Sequence, residues 1–305
     1  MKAKTIIKLS LILLAVSLAY NSKAQTKLLS GLDEGTYNQL ALDIRNVSSL
    51  PIEVLISGGS LDNYQKLIAE NDINITFMQY DVLLTNELLN PKIKEEIKVL
   101  FPLFMDEEIH LIARNTGEIN SLKDLAGKKV AIGKSLQGTS VTAKWIKKTT
   151  GINWIDVEIG FNESFEALNK KEIDAFFYVG GAPAPILDNL ALGADNIKLV
   201  PIKHKKLEGV YSYKRIEAFT YDWLNYNVPT YAVTTLLVIN VKNNKDITID
   251  IVKQLYEDIQ QNMEKLQKEG HPKWKYIHKE SEEFNIDWPY FYVPEKEVND
   301  NEVEE

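Results

Sequence analysis

The chain has 305 residues, of which 45% are hydrophobic and 26% charged, a composition that suits one or two globular domains with large cores. It contains no cysteine, which excludes disulfides, thiolate nucleophiles, Cys-ligated metals and a lipid attached to an N-terminal cysteine. A formal net charge of -8 at pH 7 argues against nucleic acid as a partner.

Residues 1–24 differ from the rest of the chain. Lys2, Lys4 and Lys8 precede an apolar run over 9–19, and small residues follow it. This pattern predicts a cleaved secretory signal peptide, and the alternative is a membrane anchor that stays attached. Loss of these residues removes four Lys and no acid, which moves the formal charge from -8 to -12. At the other end, residues 295–305 are predicted to form an acidic flexible tail.

Strands and helices are predicted to alternate in the first part of the chain. The expected strands are 27–30, 52–56, 73–78 and 108–113, and the expected helices are 37–47, 61–70 and the short 121–125. The first three strands end in small or polar segments, which are 31–37, 57–60 and 79–81. Such alternation predicts a mainly parallel α/β sheet, whose ligands lie outside the carboxyl ends of the strands.

The most informative stretch is 128–151. A strand at 129–132 leads into a loop at 133–138 and then into a helix entered through Thr139 or Ser140 and ended by Gly151. Unpaired amide donors and the helix dipole favour negative charge at such an N-terminus. The stretch therefore predicts a site for a carboxylate or phosphate.

The rest of the chain continues the alternation and ends in an aromatic segment. The expected strands are 157–160, 173–179, 197–200 and 233–240, the expected helices are 163–170, 186–192 and 249–268, and 203–231 is expected to be irregular. The loop 180–185 is either a place where a ligand approaches the backbone or a tight turn. The aromatic residues over 274–292 either hold a carbohydrate or partner or, as we favour, anchor the C-terminal segment by packing across a domain.

Motifs for other chemistries fail on spacing. Gly133, Lys134 and Ser135 are similar to part of a phosphate loop, but Gly127 lies one residue too far upstream and precedes the strand. The segment 133–138 has one residue too many for a hydrolase Gly-x-Ser-x-Gly elbow. The four histidines, at 110, 204, 271 and 278, lack metal-ligand spacing and are expected to be structural or exposed.

Several motifs are weak signals singly, but their order and spacing over residues 28–240 make a specific one. They are 31–37 (GLDEGTY), 58–60 (GGS), 79–81 (QYD), 122–133 (LKDLAGKKVAIG), 137–140 (QGTS), 173–185 (IDAFFYVGGAPAP) and 228–238 (VPTYAVTTLLV). In this order they resemble the solute receptors of the TAXI family, the extracytoplasmic binding proteins of one class of TRAP transporters.

The resemblance implies an α/β chain with a type II periplasmic binding protein fold, in which two α/β lobes joined by a hinge of two strand crossings close on a small solute. Lobe 1 would contain 25–113 and 233–294, and lobe 2 would contain 114–232. Family ligands are small organic acids and amino acids such as glutamate or 2-oxoglutarate. No cofactor or metal is implied, and the partners would be TRAP transporter membrane subunits.

Candidate ligand-binding residues follow from the matching positions. They are Glu34, Thr36, Tyr37, Ser60, Gln79, Tyr80, Asp81, Ser135, Gln137, Gly138, Thr139, Ser140, Gly181 and Pro183. Helix N-terminal amides would bind a carboxylate, Thr139 and Ser140 would orient it, and Tyr37 or Tyr80 would contact the apolar part.

Two of these positions depart from the family pattern. Glu34 stands where the family has glycine, and Tyr80 stands where it has serine. A carboxylate beside an anion site favours a ligand that also carries an ammonium group, such as an amino acid, unless Glu34 turns outward. The last 60 residues or so lack the family's usual ending.

We therefore expect a periplasmic solute receptor without enzymatic activity. A sensor or adaptor of the same fold, not coupled to a transporter, is the alternative. An enzyme on this scaffold is disfavoured because no acid–base set is evident.

Overall fold

The computed structural model describes residues 25–33, 35–103, 105–188, 197–277 and 286–294. The predicted signal peptide, the acidic tail, Glu34 and His278 lie outside these residues. The described strands are β1 Thr26–Leu29, β2 Ile52–Leu55, β3 Ile75–Gln79, β4 Ile97–Val99, β5 Met105–Arg114, β6 Lys129–Ala131, β7 Ile155–Val157, β8 Ala175–Gly180, β9 Ile197–Leu199, β10 Ser212–Ile216 and β11 Val228–Asn240.

The described helices surround these strands. They are α1 Thr36–Val47, α2 Ser60–Ala69, α3 Tyr80–Leu89, α4 Ile93–Glu96, α5 Gly138–Thr150, α6 Phe161–Asn169, α7 Pro185–Asp188, α8 Ile249–Gln261 and α9 Met263–Glu269, with short 3-10 helices at Leu122–Leu125, Lys205–Leu207 and Pro272–Tyr276. None of the described helices is both long and apolar enough to cross a bilayer.

Two parallel strand groups are linked through antiparallel strands, in the order β2-β1-β3-β11-β5-β8-β6-β7. In the first group β1 pairs in parallel with β2 and β3, and in the second β6 pairs in parallel with β7 and β8. The long strands β5 and β11 lie between the groups and pair with each other over 105–108 and 232–235. Outside this stretch, β5 pairs with β8 and β11 pairs with β3.

These pairings confirm the predicted architecture of two α/β lobes joined by two strand crossings. The buried apolar residues also form separate clusters, one of which includes Leu28, Phe77 and Trp274, and another Leu111, Val130 and Trp154. The exact lobe boundaries, at 113/114 and 232/233, stay a prediction.

The aromatic C-terminal segment packs on lobe 1. Trp274 has no exposed surface, and its indole N–H donates to the Asp43 carboxylate at 2.8 Å. Trp288 is also buried and donates to the carbonyl of Ile97 at 3.0 Å. These contacts agree with the interpretation that the segment anchors the end of the chain, because buried indoles need both apolar surroundings and an acceptor.

Several elements differ from the prediction. The strand expected at 157–160 is observed at Ile155–Val157, and α4 and β4 were not expected. Helix α3 begins at Tyr80, directly after β3, where a loop was expected at 79–81. Residues 80–83 are all buried whereas the apolar Leu88 and Leu89 are exposed, so the sequence of this helix lacks a clear amphipathic period. Within the segment expected to be irregular, the polar strand β10 pairs with an extended β11, and the helix expected over 249–268 is divided at Asn262.

The end of α5 is as predicted. Gly151 adopts the left-handed conformation at φ 74°, and its N–H donates to the carbonyl of Lys147 at 3.0 Å. A side chain at this position would have open space, since no atom lies within 4 Å of an added Cβ. Only the backbone conformation therefore requires glycine here.

Replacing Gly151 with Ala is expected to lower the free energy of unfolding by about 1 kcal/mol, because an L side chain is disfavoured at positive φ. Urea denaturation of the purified protein measures the effect. Gly209→Ala is the matched control, since its added Cβ also meets open space and its φ is outside the left-handed region. Equal stability of both variants would contradict the strained-conformation argument.

Candidate functional site

A cleft of about 720 Å³ lies between the two lobes. Lobe 1 contributes the segments around Gly31 to Tyr37 and Gly58 to Ser60, together with Gln79 at the end of β3. Lobe 2 contributes Gly133, the turn at 137–139 and residues of β8, while His271 enters from the C-terminal segment. The loops that follow parallel strands therefore meet at one place, as the α/β pattern predicted.

Four helices begin at this cleft. The N-cap residues of α1, α2, α5 and α6 are Gly35, Gly59, Gln137 and Gly160, and none of these four caps its helix through a side-chain hydrogen bond. The first residue of each helix, which is Thr36, Ser60, Gly138 or Phe161, lines the cavity. Amide donors and the positive ends of four helix dipoles are therefore concentrated at the cleft, an arrangement that favours an anion.

The lobes touch along one edge of the cleft. The N–H of Asp62 in α2 donates to the carbonyl of Leu136 at 3.2 Å, which joins lobe 1 to lobe 2. At Gly138, an added Cβ would lie 1.8 Å from Oε1 of Gln79, so the side chain of Gln79 fills the space that a larger residue would need. A side chain at 138 would therefore have to displace the Gln79 amide from this contact.

Glu107, on the hinge strand β5, is the buried charged group of the cleft wall. Its Oε2 accepts hydrogen bonds from the Tyr37 hydroxyl at 2.8 Å, from Nε2 of Gln79 at 2.8 Å and from the Thr235 hydroxyl at 2.9 Å. Burial raises the pKa of Glu107, and these three donors act in the opposite direction. The carboxyl group thus fixes the orientation of two cleft residues, Tyr37 and Gln79.

The adjacent Glu108 holds the loop 180–185. It pairs with the buried ammonium group of Lys273 at 2.9 Å and accepts the N–H of Ala182 at 2.6 Å. An added Cβ on Gly181 would lie 2.2 Å from Cε of Lys273. The group that lies close to the backbone at Gly181 is therefore the side chain of this lysine. Neither Gly181 nor the exposed Pro183 lines the cavity.

Asp81 lies in the contact between the lobes and does not line the cavity. Its Oδ2 accepts hydrogen bonds from the hydroxyls of Thr142 at 2.6 Å and Tyr211 at 2.9 Å, both in lobe 2. Burial raises the pKa of Asp81 to about 6, the two hydroxyl donors oppose this rise, and the nearby carboxylate of Glu107 adds to it. The neighbouring Tyr80 also points elsewhere, since its hydroxyl accepts the N–H of Asp287 at 3.1 Å.

The structure brings together half of the candidate residues. Those that line the cavity are Thr36, Tyr37, Ser60, Gln79, Gln137, Gly138 and Thr139. Those placed elsewhere are Tyr80, Asp81, Ser135, Ser140, Gly181 and Pro183. Tyr80 and Asp81 differ from expectation because α3 starts at Tyr80, Ser135 is exposed, and Ser140 is buried inside the first turn of α5. A ligand-binding role for any of these residues stays a prediction.

Several lining residues were missed in the sequence. They are Glu107, Ile159, Phe161, Tyr178, Ile186 and His271, among others. A signal existed for Glu107, because three consecutive acids interrupt an otherwise apolar strand, and buried charge in a strand requires partners. The aromatic residues gave no signal, since strand and helix cores are rich in the same residue types.

The described histidines are at positions 110, 204 and 271. No group of three or more His, Asp or Glu side chains that would hold a metal ion occurs in the described part of the chain. His110 is fully buried, and its Nε2 lies 2.8 Å from the Tyr221 hydroxyl. Burial lowers the pKa of His110 to about 3, so its ring is neutral, as expected for a structural histidine.

Comparison with known proteins gives one family and several similar folds. A sequence model of the NMT1-like family matches residues 37–283. A solved periplasmic transporter has 13% identity and a TM-score of 0.52, with 79% of this chain and 84% of that chain covered. An alkanesulfonate-binding protein from Xanthomonas axonopodis pv. citri, bound to MOPS, has 10% identity and a TM-score of 0.50, with coverage of 80% and 75%.

A protein from Archaeoglobus fulgidus is similar to the same extent, with 13% identity, a TM-score of 0.50, and coverage of 84% of this chain and 81% of that chain. Similarity at these identities concerns the fold alone. The predicted type II periplasmic binding protein fold is confirmed.

The buried Asp81 predicts a pH-dependent stability. The pKa of Asp81 is raised from 3.8 in the unfolded chain to about 6 in the folded protein. Its contribution to the free energy of unfolding is therefore complete below about pH 4 and is lost as the pH rises through 6. Asp81→Asn removes the titrating carboxyl group and keeps an acceptor for Thr142 and Tyr211. The variant therefore does not undergo this loss of stability as the pH rises. The stability of the variant relative to the unmodified protein is expected to rise by about 2 to 3 kcal/mol between pH 4 and pH 7.5.

Urea denaturation at the two pH values measures this difference, in which the shared titration of Glu107 largely cancels. Asp246→Asn, at an exposed position, serves as the control and is expected to show no such change. The same relative stability of Asp81→Asn at both pH values would show that Asp81 does not titrate in this range.

Proposed function

Because the chain belongs to the NMT1-like family, whose members have the periplasmic solute-binding protein fold, we propose that it captures a small organic acid or amino acid for a TRAP-type transporter. The observation that carries this proposal is the convergence of four helix N-termini, without side-chain caps, on a cleft between two lobes. Such a site binds a carboxylate through backbone N–H groups and helix dipoles.

Side chains around the helix ends supply further contacts. The hydroxyls of Thr36, Ser60 and Thr139 line the cleft and would orient the carboxylate. The hydroxyl oxygen of Thr139 accepts the N–H of Val179 at 3.2 Å, which leaves its own proton to donate. The acidic residues Asp33 and Glu107 also line the cavity and favour a ligand that carries an ammonium group.

Capture would use the hinge formed by β5 and β11. These two strands connect the lobes, and small rotations of their backbone would open the cleft for entry and close it on the ligand. The contact of Gln79 with Gly138 and the hydrogen bonds from lobe 2 to Asp81 stabilise the closed arrangement. In this role the protein binds and releases its ligand unchanged and is not an enzyme.

The proposed place of action is the periplasm, after removal of residues 1–24, where TRAP membrane subunits would receive the ligand. The resemblance of seven segments to TAXI receptors supports this coupling. One observation favours a second function, that of a sensor or adaptor without a transporter: residues after 240 depart from the family pattern, and His271 from this part lines the cleft. Co-purification with a TRAP membrane subunit would decide for transport.

A thermal-shift screen of amino acids, dicarboxylates and oxoacids tests the binding function. A ligand at 100 times its dissociation constant is expected to add about 2.7 kcal/mol to the free energy of unfolding and to raise the melting temperature. No shift with any member of these classes would contradict the proposal.

Gly138→Ala tests whether the cleft found here is the binding site. The added Cβ would displace the Gln79 amide from the cleft wall and from its hydrogen bond to Glu107, so the variant is expected to bind the ligand severalfold more weakly. Gly209→Ala, in open space, is the matched control and is expected to retain full affinity. Unchanged affinity of Gly138→Ala would place binding elsewhere in the molecule.

A further inference from the structure

One wall of the cleft, in lobe 2, is apolar. It is formed by Ile159, Phe161, Tyr178 and Ile186. These residues come from the segment before α6, from α6 itself, from strand β8 and from α7, so the wall is assembled from several elements of one lobe. It faces a cavity whose other linings include hydroxyls, amides and carboxylates, which makes the cleft amphipathic.

The aromatic rings of this wall are held in place by the core of lobe 2. Phe161 packs edge to face on Tyr178, with 5.3 Å between ring centroids, and on the buried Phe176 at 5.7 Å. The hydroxyl of Tyr178 lies against Gly180, since an added Cβ there would be 2.7 Å from it. Rings fixed in this way present a rigid surface, so burial of a ligand group against them costs little side-chain entropy.

The charged residues of the cleft do not favour a ligand with two carboxylates. Glu107, which lines the cavity from β5, is buried, and Asp33 lines it from lobe 1. A second carboxylate placed against either group would be repelled in a partly desolvated site. Negative charge is therefore favoured at the helix N-termini and disfavoured near the two acids, and the remainder of the ligand meets the apolar wall.

The cleft volume agrees with a ligand that has a sizeable body. At about 720 Å³ the cavity lies within the range of sites that enclose ligands of drug size, roughly 300–1,000 Å³. A small dicarboxylate of about ten heavy atoms has little apolar surface to bury against the wall around Phe161 and Ile186, so this wall would contribute little to its affinity.

We propose that this receptor selects a monocarboxylate with an aromatic or branched aliphatic body over small dicarboxylates such as glutamate and 2-oxoglutarate. The inference rests on the proposed solute-binding function. The carboxylate is bound at the N-termini of α1, α2, α5 and α6, and the body lies on the wall that includes Phe161, Tyr178 and Ile186. Specificity arises because burial of the body is favourable and a second carboxylate near Glu107 is not.

Isothermal titration calorimetry with four compounds tests this selectivity. L-phenylalanine is compared with L-glutamate, and phenylpyruvate with 2-oxoglutarate, so that each pair differs only in the side group. The aromatic member of at least one pair is expected to bind ten or more times tighter than its dicarboxylate counterpart. Tighter binding of glutamate or 2-oxoglutarate would overturn this inference and leave the proposed function intact.

Failure of all four compounds to bind would also overturn the inference, whereas the proposed function then depends on the wider thermal-shift screen.

Variants of the wall test where the aromatic group of the ligand binds. Phe161→Ala is expected to weaken binding of the aromatic compound about tenfold or more, and Phe219→Ala, whose ring is 76% exposed and outside the cleft, is expected to have no effect. Ile186→Ala, at a more exposed position of the wall, gives the same test should Phe161→Ala not fold. Unchanged aromatic affinity in both wall variants would overturn the assigned wall.

Discussion

The cleft depends on the carboxyl group of Glu107, because a charge removed from water must find donors within the protein. The three donors come from α1, from the end of β3 and from the crossing strand β11, so one atom connects three separate segments. Tyr37 also stacks on Phe77 with 5.2 Å between ring centroids. The hydrogen-bonded centre of the cleft is in this way continuous with the packed core of lobe 1.

The same hinge strand organises the regions around the cleft through consecutive acids. Successive side chains of a strand point to opposite faces, so neighbouring residues reach different parts of the fold. Asp106 pairs with Lys214 of β10 at 2.6 Å, and Glu108 pairs with Lys273 of the C-terminal segment at 2.9 Å. Three adjacent carboxylates thereby connect β5 to lobe 2, to the cleft and to the C-terminal segment, which explains why a polar run interrupts a buried strand.

Sequence patterns predicted the elements whose chemistry is local. The strand, small-residue loop and helix around Gly138, and the left-handed Gly151, follow from propensity and capping rules that act within a few residues. The lobe architecture followed from the alternation of strands and helices together with a resemblance of ordered motifs. Half of the candidate site residues line the cleft, because loops after parallel strands must lie at one sheet edge.

What the sequence did not predict depends on contacts between distant segments. Asp81 was expected in the cleft. Helix α3 begins at Tyr80, however, and directs the side chain of Asp81 towards Thr142 and Tyr211. The apolar wall around Phe161 is indistinguishable in sequence from core residues, since only folding decides which ring remains uncovered. The run of three acids marks Glu107 in the sequence, but its role is recognisable only once its partner residues, which lie 28 to 128 positions away along the chain, are known.

The two lobes also differ in how the chain builds them. The cluster around Leu111 and Trp154 contains residues from one continuous segment, 109–233, whereas the cluster around Leu28 requires Trp274 from the opposite end. During synthesis from the N-terminus, lobe 2 is complete while lobe 1 still lacks its last strand partner, its terminal helices and a buried tryptophan. Lobe 1 therefore exposes unfinished apolar surface until the C-terminal segment has been synthesised.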